Sequence, residues 1–287
     1  MERPSAPPSE EIGIGVQRLR VSVAGRGRPV LLIMGFAGSL ELWAPLLAEL
    51  PGHQTIAFDA PGTGGSKPSP WPLGIPALAK LTDRLCAALG FPSVDVIGYS
   101  FGGIIAQQLA ARHPRRVRRL VLASTSPGLG SLPGLRAAAR LLTVPPSAYR
   151  SAGFLPTAAA IFGGSLREDP AAAIRFLPSR VPHWRGWLHQ LIAVNTYSSL
   201  PILPCIRQET LILAGDDDPL VPLVNARMMA RLLPRAQLEI VARAGHLALL
   251  ERAPETGRLI RSFFERTTSA GAGSAEPSAS AEAAAQA

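Results

Sequence analysis

The sequence predicts an α/β fold, a mostly parallel sheet with helices on both faces and one helical insertion. Short apolar runs typical of strands alternate with longer segments of helical spacing, as in sheets built from βαβ units. One of these strands, Val94–Tyr99, enters a helix directly through a Gly-x-Ser-x-Gly turn. The alternation stops between Ser126 and Arg207, a stretch too long to be a loop inside a compact domain.

The composition is that of a globular protein. A chain of 287 residues can form one large α/β domain with an insertion or two small domains. Its hydrophobic content of 47% favours a well-packed core. It has no apolar run of about 18 residues, the length of a membrane span, and no apolar signal segment in Met1–Glu10. We therefore expect no membrane span and a cytoplasmic location.

The cysteines and the charge bear on possible partners. Cys86 and Cys205 lie far apart, and we expect both to be buried free thiols in a reducing compartment. The net charge of +9 comes mainly from arginine and is densest in residues 112–119. A nucleic acid or a lipid head group would suit such a cluster. Because it joins a helix end to a strand start and contains no aromatic residue, we favour a solvated helix end and predict no nucleic-acid partner.

The first elements differ in how their apolar residues are arranged. Residues 1–11, which include a Pro- and Ser-rich start, are predicted to be a disordered lead. In Val16–Val23 the apolar residues alternate, which predicts an edge strand. Val30–Met34 is continuously apolar, as expected of a strand buried on both faces. A helix at Leu40–Leu50 and a strand at Thr55–Phe58 follow.

The next helices end at recognisable breakers. Ile75–Leu89 has leucines at helical spacing and stops at Gly90. The helix Phe101–His113 follows the Ser turn and is ended by Pro114. Val117–Ala123 is the strand after it.

Residues 126–207 contain helical patches, Pro and aromatic residues but no convincing strand. We expect a helical lid over the carboxyl edge of the sheet. The α/β core is then formed by residues 12–125 and 208–266. A tail rich in Ala, Ser and Gly, residues 267–287, is predicted to be disordered.

The α/β pattern resumes after the predicted lid. It continues with strands at Thr210–Ala214 and Gln237–Val241 and helices at Asn225–Leu233 and Glu255–Glu265.

Ser100 is the candidate nucleophile. The turn Gly98-Tyr99-Ser100-Phe101-Gly102 between strand and helix is the pattern of a nucleophile elbow, which raises the Ser Oγ above the carboxyl edge of the sheet. The helix dipole there favours an oxyanion. A serine hydroxyl also needs a base and an orienting carboxylate, and the rest of the chain must supply both.

His246 is the candidate base, because it directly follows a strand and so falls on the carboxyl edge. The other histidines lie at the opposite edge or in the insertion: His53, His113, His183 and His189. In open α/β sheets the chemistry is found at the carboxyl edge.

The candidate acids are Asp216, Asp217 and Asp218, in a loop that also follows a strand. A Ca²⁺ or Mg²⁺ site is the alternative, but the loop lacks further oxygen ligands at alternating positions. The chain order Ser100, then an Asp of this loop, then His246 is the order found in α/β-hydrolases.

The oxyanion donors are expected to be two backbone N–H groups, those of Phe101 and Phe36. We predict no metal and no cofactor. Gly62–Lys67 lacks the spacing of a phosphate-binding loop, and Gly13–Gly15 precedes a strand instead of following one.

Four motifs resemble the α/β-hydrolase superfamily: Asp59–Ser66, Gly98–Gly103, Gly215–Pro222 and Gly245-His246. In that superfamily the acid loop usually has the pattern Gly-x-x-Asp-x-x-x-Pro. The resemblance therefore implies that Asp218 is the acid.

A narrower resemblance is to intracellular poly(3-hydroxyalkanoate) depolymerases of the medium-chain-length type. The matching stretches include insertion residues and run from about Ile12 to Phe264: Leu40–Leu42, Ile56–Ser66, Leu78–Thr82, Val96–Gly98, Ala106–Gln108, Ile161–Gly164, Arg167–Pro170, Leu213–Pro222 and Ala236–Leu238. It implies hydrolysis of ester bonds in a storage polyester, with a hydrophobic ester substrate and a granule surface as partners. Phe101 stands where these proteins often have Trp, and Met34 where many α/β-hydrolases have His, which leaves the acyl preference open.

Other activities fit the same three residues. A small-molecule carboxylesterase, a carbon–carbon bond hydrolase and a cofactor-free perhydrolase all remain open. Epoxide and haloalkane hydrolases use an Asp nucleophile, which Ser100 disfavours. A non-catalytic binder with this fold is disfavoured by the complete set Ser100, Asp218 and His246. The sequence predicts no oligomeric state.

Overall fold

The structure, a computed structural model, describes residues 7–266 apart from 133, 135, 138, 139, 141–143, 145, 146, 149, 150, 178 and 179. The predicted tail 267–287 and the first six residues of the predicted lead lie outside the described residues. One eight-stranded sheet runs through the described part of the chain. Its strands are β1 (Glu10–Ile14), β2 (Gln17–Ala24), β3 (Arg28–Ile33), β4 (His53–Phe58), β5 (Val94–Tyr99), β6 (Val117–Ala123), β7 (Glu209–Gly215) and β8 (Ala236–Val241).

The sheet is mostly parallel, as predicted. Its strand order is β1-β2-β4-β3-β5-β6-β7-β8. β1 and β2 form an antiparallel hairpin, and β2 also pairs antiparallel with β4. All other neighbours pair parallel. The carboxyl ends of the strands from β3 to β8 therefore meet at one edge of the sheet.

Helices cover both faces. The described α-helices are α1 (Ala44–Leu47), α2 (Ile75–Ala88), α3 (Phe101–Arg112), α4 (Leu155–Phe162), α5 (Trp184–Asn195), α6 (Leu223–Leu232), α7 (Ala248–Glu251) and α8 (Ala253–Glu265). Short 3₁₀ helices lie at Leu40–Trp43, Ala152–Phe154, Gly164–Arg167, Pro170–Phe176 and Leu200–Cys205.

Two buried clusters, one on each face, explain why the central strands are apolar on both sides. Leu31 and Ile33 of β3 belong to the cluster that includes α2 and α3. Val30 and Leu32 belong to the other, which includes α8. Successive strand residues point to opposite faces, so a strand between two helix layers has no polar side.

The N-terminal hairpin corrects two predictions. The edge strand is β1, and the predicted edge strand Val16–Val23 corresponds to β2, which lies one place inward. Residues 10 and 11 of the predicted disordered lead belong to β1. Only Ile12 and Ile14 of β1 pack against the core, an alternation too short to predict a strand by itself. The register of β1 is fixed by backbone pairing with β2.

Two other local predictions hold only in part. The predicted helix Leu40–Leu50 is a 3₁₀ turn followed by the single-turn helix α1. Pro45, near the start of α1, has no N–H to continue a helix through this point. Cys86 is buried as expected, but Cys205 is exposed, because it ends the surface 3₁₀ helix that precedes β7.

The insertion between β6 and β7 reaches the carboxyl edge of the sheet. Its described residues include α4 and α5 but no strand, and an isolated bridge between Gly128 and Ser198 joins its two ends. The lid role expected for residues 126–207 stays a prediction. No helix in the described part of the chain is long and apolar enough to cross a membrane.

Candidate active site

Ser100 stands in a sharp turn between β5 and α3. Its φ of 51° and ψ of −119° are strained for a non-glycine residue, at a cost of order 1–3 kcal/mol. Gly102 allows the turn to approach β3, since a Cβ there would lie 2.0 Å from the Ile33 carbonyl oxygen. The Thr125 hydroxyl donates to the Ser100 carbonyl at 2.6 Å and holds the turn from the other side.

A chain of two hydrogen bonds runs from Ser100 through His246 to Asp218. His246 Nε2 lies 2.9 Å from Ser100 Oγ, and His246 Nδ1 lies 2.8 Å from Asp218 Oδ2. Asp218 Oδ1 accepts the backbone N–H groups of Leu220 and Val221 at 2.9 and 2.8 Å. Because an ionised carboxylate only accepts, Nδ1 is the protonated nitrogen, and Nε2 is free to accept a proton from Ser100.

The three adjacent carboxylates have different partners. Asp218 is buried against His246, Asp216 is exposed, and Asp217 pairs with Arg167 of the insertion. The Arg167 guanidinium donates to both Asp217 oxygens at 2.8 and 3.1 Å, and the Gly164 N–H donates at 2.9 Å. The hydrogen bond from Arg167 lowers the pKa of Asp217. This pair therefore fixes the acid loop against the insertion.

His246 is held on two sides. Its backbone N–H donates to the Phe162 carbonyl at 2.6 Å, and the Phe162 ring stacks on the imidazole with centroids 6.1 Å apart. The Tyr99 hydroxyl donates to the His246 carbonyl at 3.1 Å. Burial, reinforced by the charges of Asp218 and Glu251, raises the pKa of Tyr99 well above its usual value. Tyr99 is therefore a neutral, permanent donor.

The loop after β3 carries Phe36 and is held by a residue of the insertion. Ala37 has a φ of 58°, and its N–H donates to Gln190 Oε1 of α5 at 2.8 Å. Gln190 is 4% exposed. The Phe36 and Phe101 rings meet edge to face with centroids 6.4 Å apart. The two expected oxyanion donors therefore belong to neighbouring residues beside Ser100.

A buried ionic cluster supports the same loop from below. Asp59 accepts the Leu40 N–H at 2.8 Å and the Gly65 N–H at 2.7 Å. Arg20 lies 3.3 Å from Asp59 and 2.7 Å from Glu41. Burial raises the pKa of Asp59 to about 6. The cluster ties the β3 and β4 loops together.

Ser100 opens onto apolar space on two sides. One cavity of about 80 Å³ is lined by His246 and by Leu42, Phe154, Phe176 and Leu250. A second of about 320 Å³ is lined by Phe101, Ile104, Leu129, Leu191 and Val194. Within the described part of the chain, no three His, Cys, Asp or Glu side chains are grouped to hold a metal ion.

Comparison with known proteins identifies the family. The family model described as the alpha/beta hydrolase fold matches residues 28–253. The chain belongs to this family. A poly(3-hydroxyalkanoate) depolymerase of Ectopseudomonas oleovorans is 39% identical over 240 residues, which cover 83% of this chain and 84% of that protein. The resemblance stated from the motifs is thereby confirmed.

Other proteins similar to this chain are more distant. A 2-hydroxy-6-oxo-2,4-heptadienoate hydrolase of Pseudomonas putida is 28% identical over 84% of this chain and 90% of that protein. The solved structure of the enol-lactonase from Burkholderia xenovorans LB400 aligns with a TM-score of 0.76 at 22% identity, over 90% of this chain and all of that one. At this identity the similarity shows a shared fold. Together the family and the hydrolases similar in sequence support hydrolase activity in general.

Sequence reasoning missed the residues that hold the site in place. Gln190, Phe162 and Arg167 lie in the insertion, far in sequence from the loops they contact. Phe162 and Arg167 fall in the stretches that carry the family resemblance. Gln190 had one usable signal, an uncharged polar side chain on an otherwise apolar helix face.

Proposed function

We propose that this alpha/beta hydrolase is a serine ester hydrolase with Ser100, His246 and Asp218 as its catalytic triad. The observation that best supports this proposal is the hydrogen-bond chain from Ser100 Oγ through His246 to Asp218 Oδ2. His246 takes the hydroxyl proton while Ser100 Oγ attacks the ester carbonyl carbon. Asp218 stabilises the imidazolium that forms and does not itself take the proton.

The oxyanion rests on the N–H groups of Phe36 and Phe101. Collapse of the tetrahedral intermediate breaks the ester C–O bond, and His246 gives its proton to the departing alkoxide oxygen. A water molecule then gives a proton to His246 and attacks the acyl-enzyme carbonyl. This releases the carboxylic acid and restores the Ser100 hydroxyl. Removal of one oxyanion N–H donor typically lowers the rate ~10²–10³-fold.

We propose a poly(3-hydroxyalkanoate) polyester, or its oligomers, as substrate. The 39% identical depolymerase supports this class. The cavities beside Ser100 also support it, because their described lining is largely apolar and suits alkyl side chains. On this proposal the insertion, residues 126–207, is the lid that shapes the substrate site, and the protein works in the cytoplasm at a storage-granule surface.

A carbon–carbon bond hydrolase is the second candidate. Its support is the 28% identity to the heptadienoate hydrolase, whose substrate by name is an enol-ketone acid. Purified protein offered polyester granules, soluble alkyl esters and a meta-cleavage dienoate would separate the two. The polyester proposal predicts release of 3-hydroxy acids from granules.

The matched control is Ser100→Ala, which should abolish release while leaving the circular dichroism spectrum unchanged. Turnover of soluble esters without release from granules would contradict the polyester, and turnover by Ser100→Ala would contradict the triad.

A further inference from the structure

The two cavities beside Ser100 differ in which catalytic groups they contain. The histidine-side cavity is the one of about 80 Å³, and its described lining includes His246 but not Phe101. The helix-side cavity is the one of about 320 Å³, and its described lining includes Phe101 but not His246. Ser100, Phe36 and Leu220 belong to both. An ester bound at Ser100 must extend one half into each.

The chemistry decides which half goes where. When the ester C–O bond breaks, the alkoxide oxygen takes its proton from His246 Nε2, so it must lie on the side of the imidazole. The carbonyl oxygen instead points to the N–H groups of Phe36 and Phe101. We propose that the alcohol half of the substrate occupies the histidine-side cavity and the acyl half occupies the helix-side cavity. This assignment rests on the proposed function of Ser100.

The hydrolytic water follows the same path. Once the alcohol has left, water fills the position beside His246 Nε2, gives a proton to it and attacks the acyl carbonyl carbon. The acyl half stays in the helix-side cavity throughout, attached to Ser100 Oγ. The released acid therefore leaves from the larger cavity and the released alcohol from the smaller one.

The volumes set different size limits for the two halves. The histidine-side cavity of about 80 Å³ is narrowed by Leu42, Phe154, Phe176 and Leu250. An engineered cavity of about 150 Å³ holds benzene, so this smaller cavity suits a short alkyl group on the alcohol carbon, with the rest of a polyester's alcohol half extending beyond it. The helix-side cavity is about four times larger, at about 320 Å³. The enzyme should therefore be strict about the alkyl group on the alcohol carbon and tolerant of a long acyl chain.

The polar groups of the helix-side cavity are consistent with the acyl half. Thr125, Ser126, Ser131 and Asn225 contribute to its described lining. The Asn225 side-chain amide accepts the Leu132 N–H and donates to the Leu132 carbonyl, each at 2.8 Å. In a polyester both halves carry a further ester or hydroxyl group. The acyl half meets these polar wall groups in the helix-side cavity, and the histidine-side cavity offers the alkyl group on the alcohol carbon mainly alkyl and aromatic surface around His246.

The test uses two ester series and two matched positions. Leu42 and Leu191 are both half-buried, and each lines one cavity. One series varies the alcohol from methyl to hexyl on a fixed butyrate, and the other varies the acyl chain from acetyl to decanoyl on a fixed ethyl alcohol. Acid release is followed in a pH-stat. Leu42→Phe should lower kcat/KM for butyl relative to ethyl alcohols by about 10-fold or more, with the acyl profile unchanged.

Leu191→Phe should lower kcat/KM for long relative to short acyl chains by a similar factor, with the dependence on the alcohol unchanged. Leu42→Ala and Leu191→Ala, which enlarge the cavities, should shift the same profiles the other way and serve if a Phe variant does not fold. Swapped profiles, both profiles moving together, or neither moving would overturn the assignment. Ser100→Ala tests the proposed function separately from the cavity assignment. If that variant hydrolyses either series, the proposed function itself is wrong.

Discussion

Gln190 links the insertion to the proposed oxyanion site, and its removal should slow catalysis without weakening substrate binding. Its Oε1 accepts the Ala37 N–H at 2.8 Å, while Ala37 is held at a φ of 58°. Gln190→Met keeps the side-chain length but removes the acceptor. A buried N–H left unpaired costs ~1–3 kcal/mol, and the left-handed backbone of Ala37 adds ~1–2 kcal/mol that the loop can release by rearranging.

The rearrangement moves Phe36, the neighbour of Ala37, and with it one proposed oxyanion donor. If ~1–3 kcal/mol of transition-state stabilisation is lost, kcat falls ~5- to 150-fold with KM little changed. Steady-state hydrolysis of ethyl butyrate measures both constants. Gln190→Glu keeps an acceptor oxygen and should retain more activity than Gln190→Met. Leu188→Ala, at a 38% exposed position of the same helix, is the matched control. A folded Gln190→Met variant with the wild-type kcat would refute the reasoning.

Three further outcomes follow from the geometry. Gly102→Ala places a Cβ 2.0 Å from the Ile33 carbonyl oxygen, so urea denaturation should show a loss of ~1–3 kcal/mol or more; an unchanged midpoint would contradict the packing. Burial raises the pKa of Asp59 from 3.8 to about 6, so between these values the folded state binds a proton that the unfolded state does not. The free energy of unfolding of the wild type relative to Asp59→Asn should therefore fall as pH rises from about 4 to 6. A rise over this range would contradict the direction of the pKa shift. Asp218→Asn should lower kcat by ~10⁴. The half-buried neighbour Asp217 pairs with Arg167 and does not touch His246, so Asp217→Asn should lower kcat by less than ~10-fold. Equal losses would exclude Asp218 as the orienting acid.

The parallel part of the sheet was predictable because burial on both faces imposes a pattern on the sequence. β5 and β6 were placed at their observed bounds, and β3 differs from its prediction by a few residues. β1 was missed because only Ile12 and Ile14 of its five residues pack inward, and it pairs with the sheet through β2 alone. The predicted helix Leu40–Leu50 is a 3₁₀ turn followed by the short α1, because Pro45 has no N–H to bond the carbonyl four residues before it.

The positions of the proposed reacting groups were more predictable than those of the residues that hold them. Ser100 and His246 follow strands, and the topology brings such positions to one edge whatever the details of packing. Among three adjacent aspartates, spacing alone could not say which turns inward; Asp218 does so because Leu220 and Val221 offer their N–H groups to it. Gln190 lies 153 residues from the Ala37 N–H that it binds, and no local pattern records a contact at that distance.

The most direct test of the account is covalent labelling of the proposed nucleophile. A fluorophosphonate probe reacts with a serine whose hydroxyl proton is taken up by a neighbouring base. Mass spectrometry of the digested wild-type protein should find one adduct, on the peptide that contains Ser100, and His246→Ala should suppress it. An adduct on another residue, or a wild-type Ser100 left unlabelled while ester hydrolysis proceeds, would contradict the claim that Ser100 is the catalytic nucleophile.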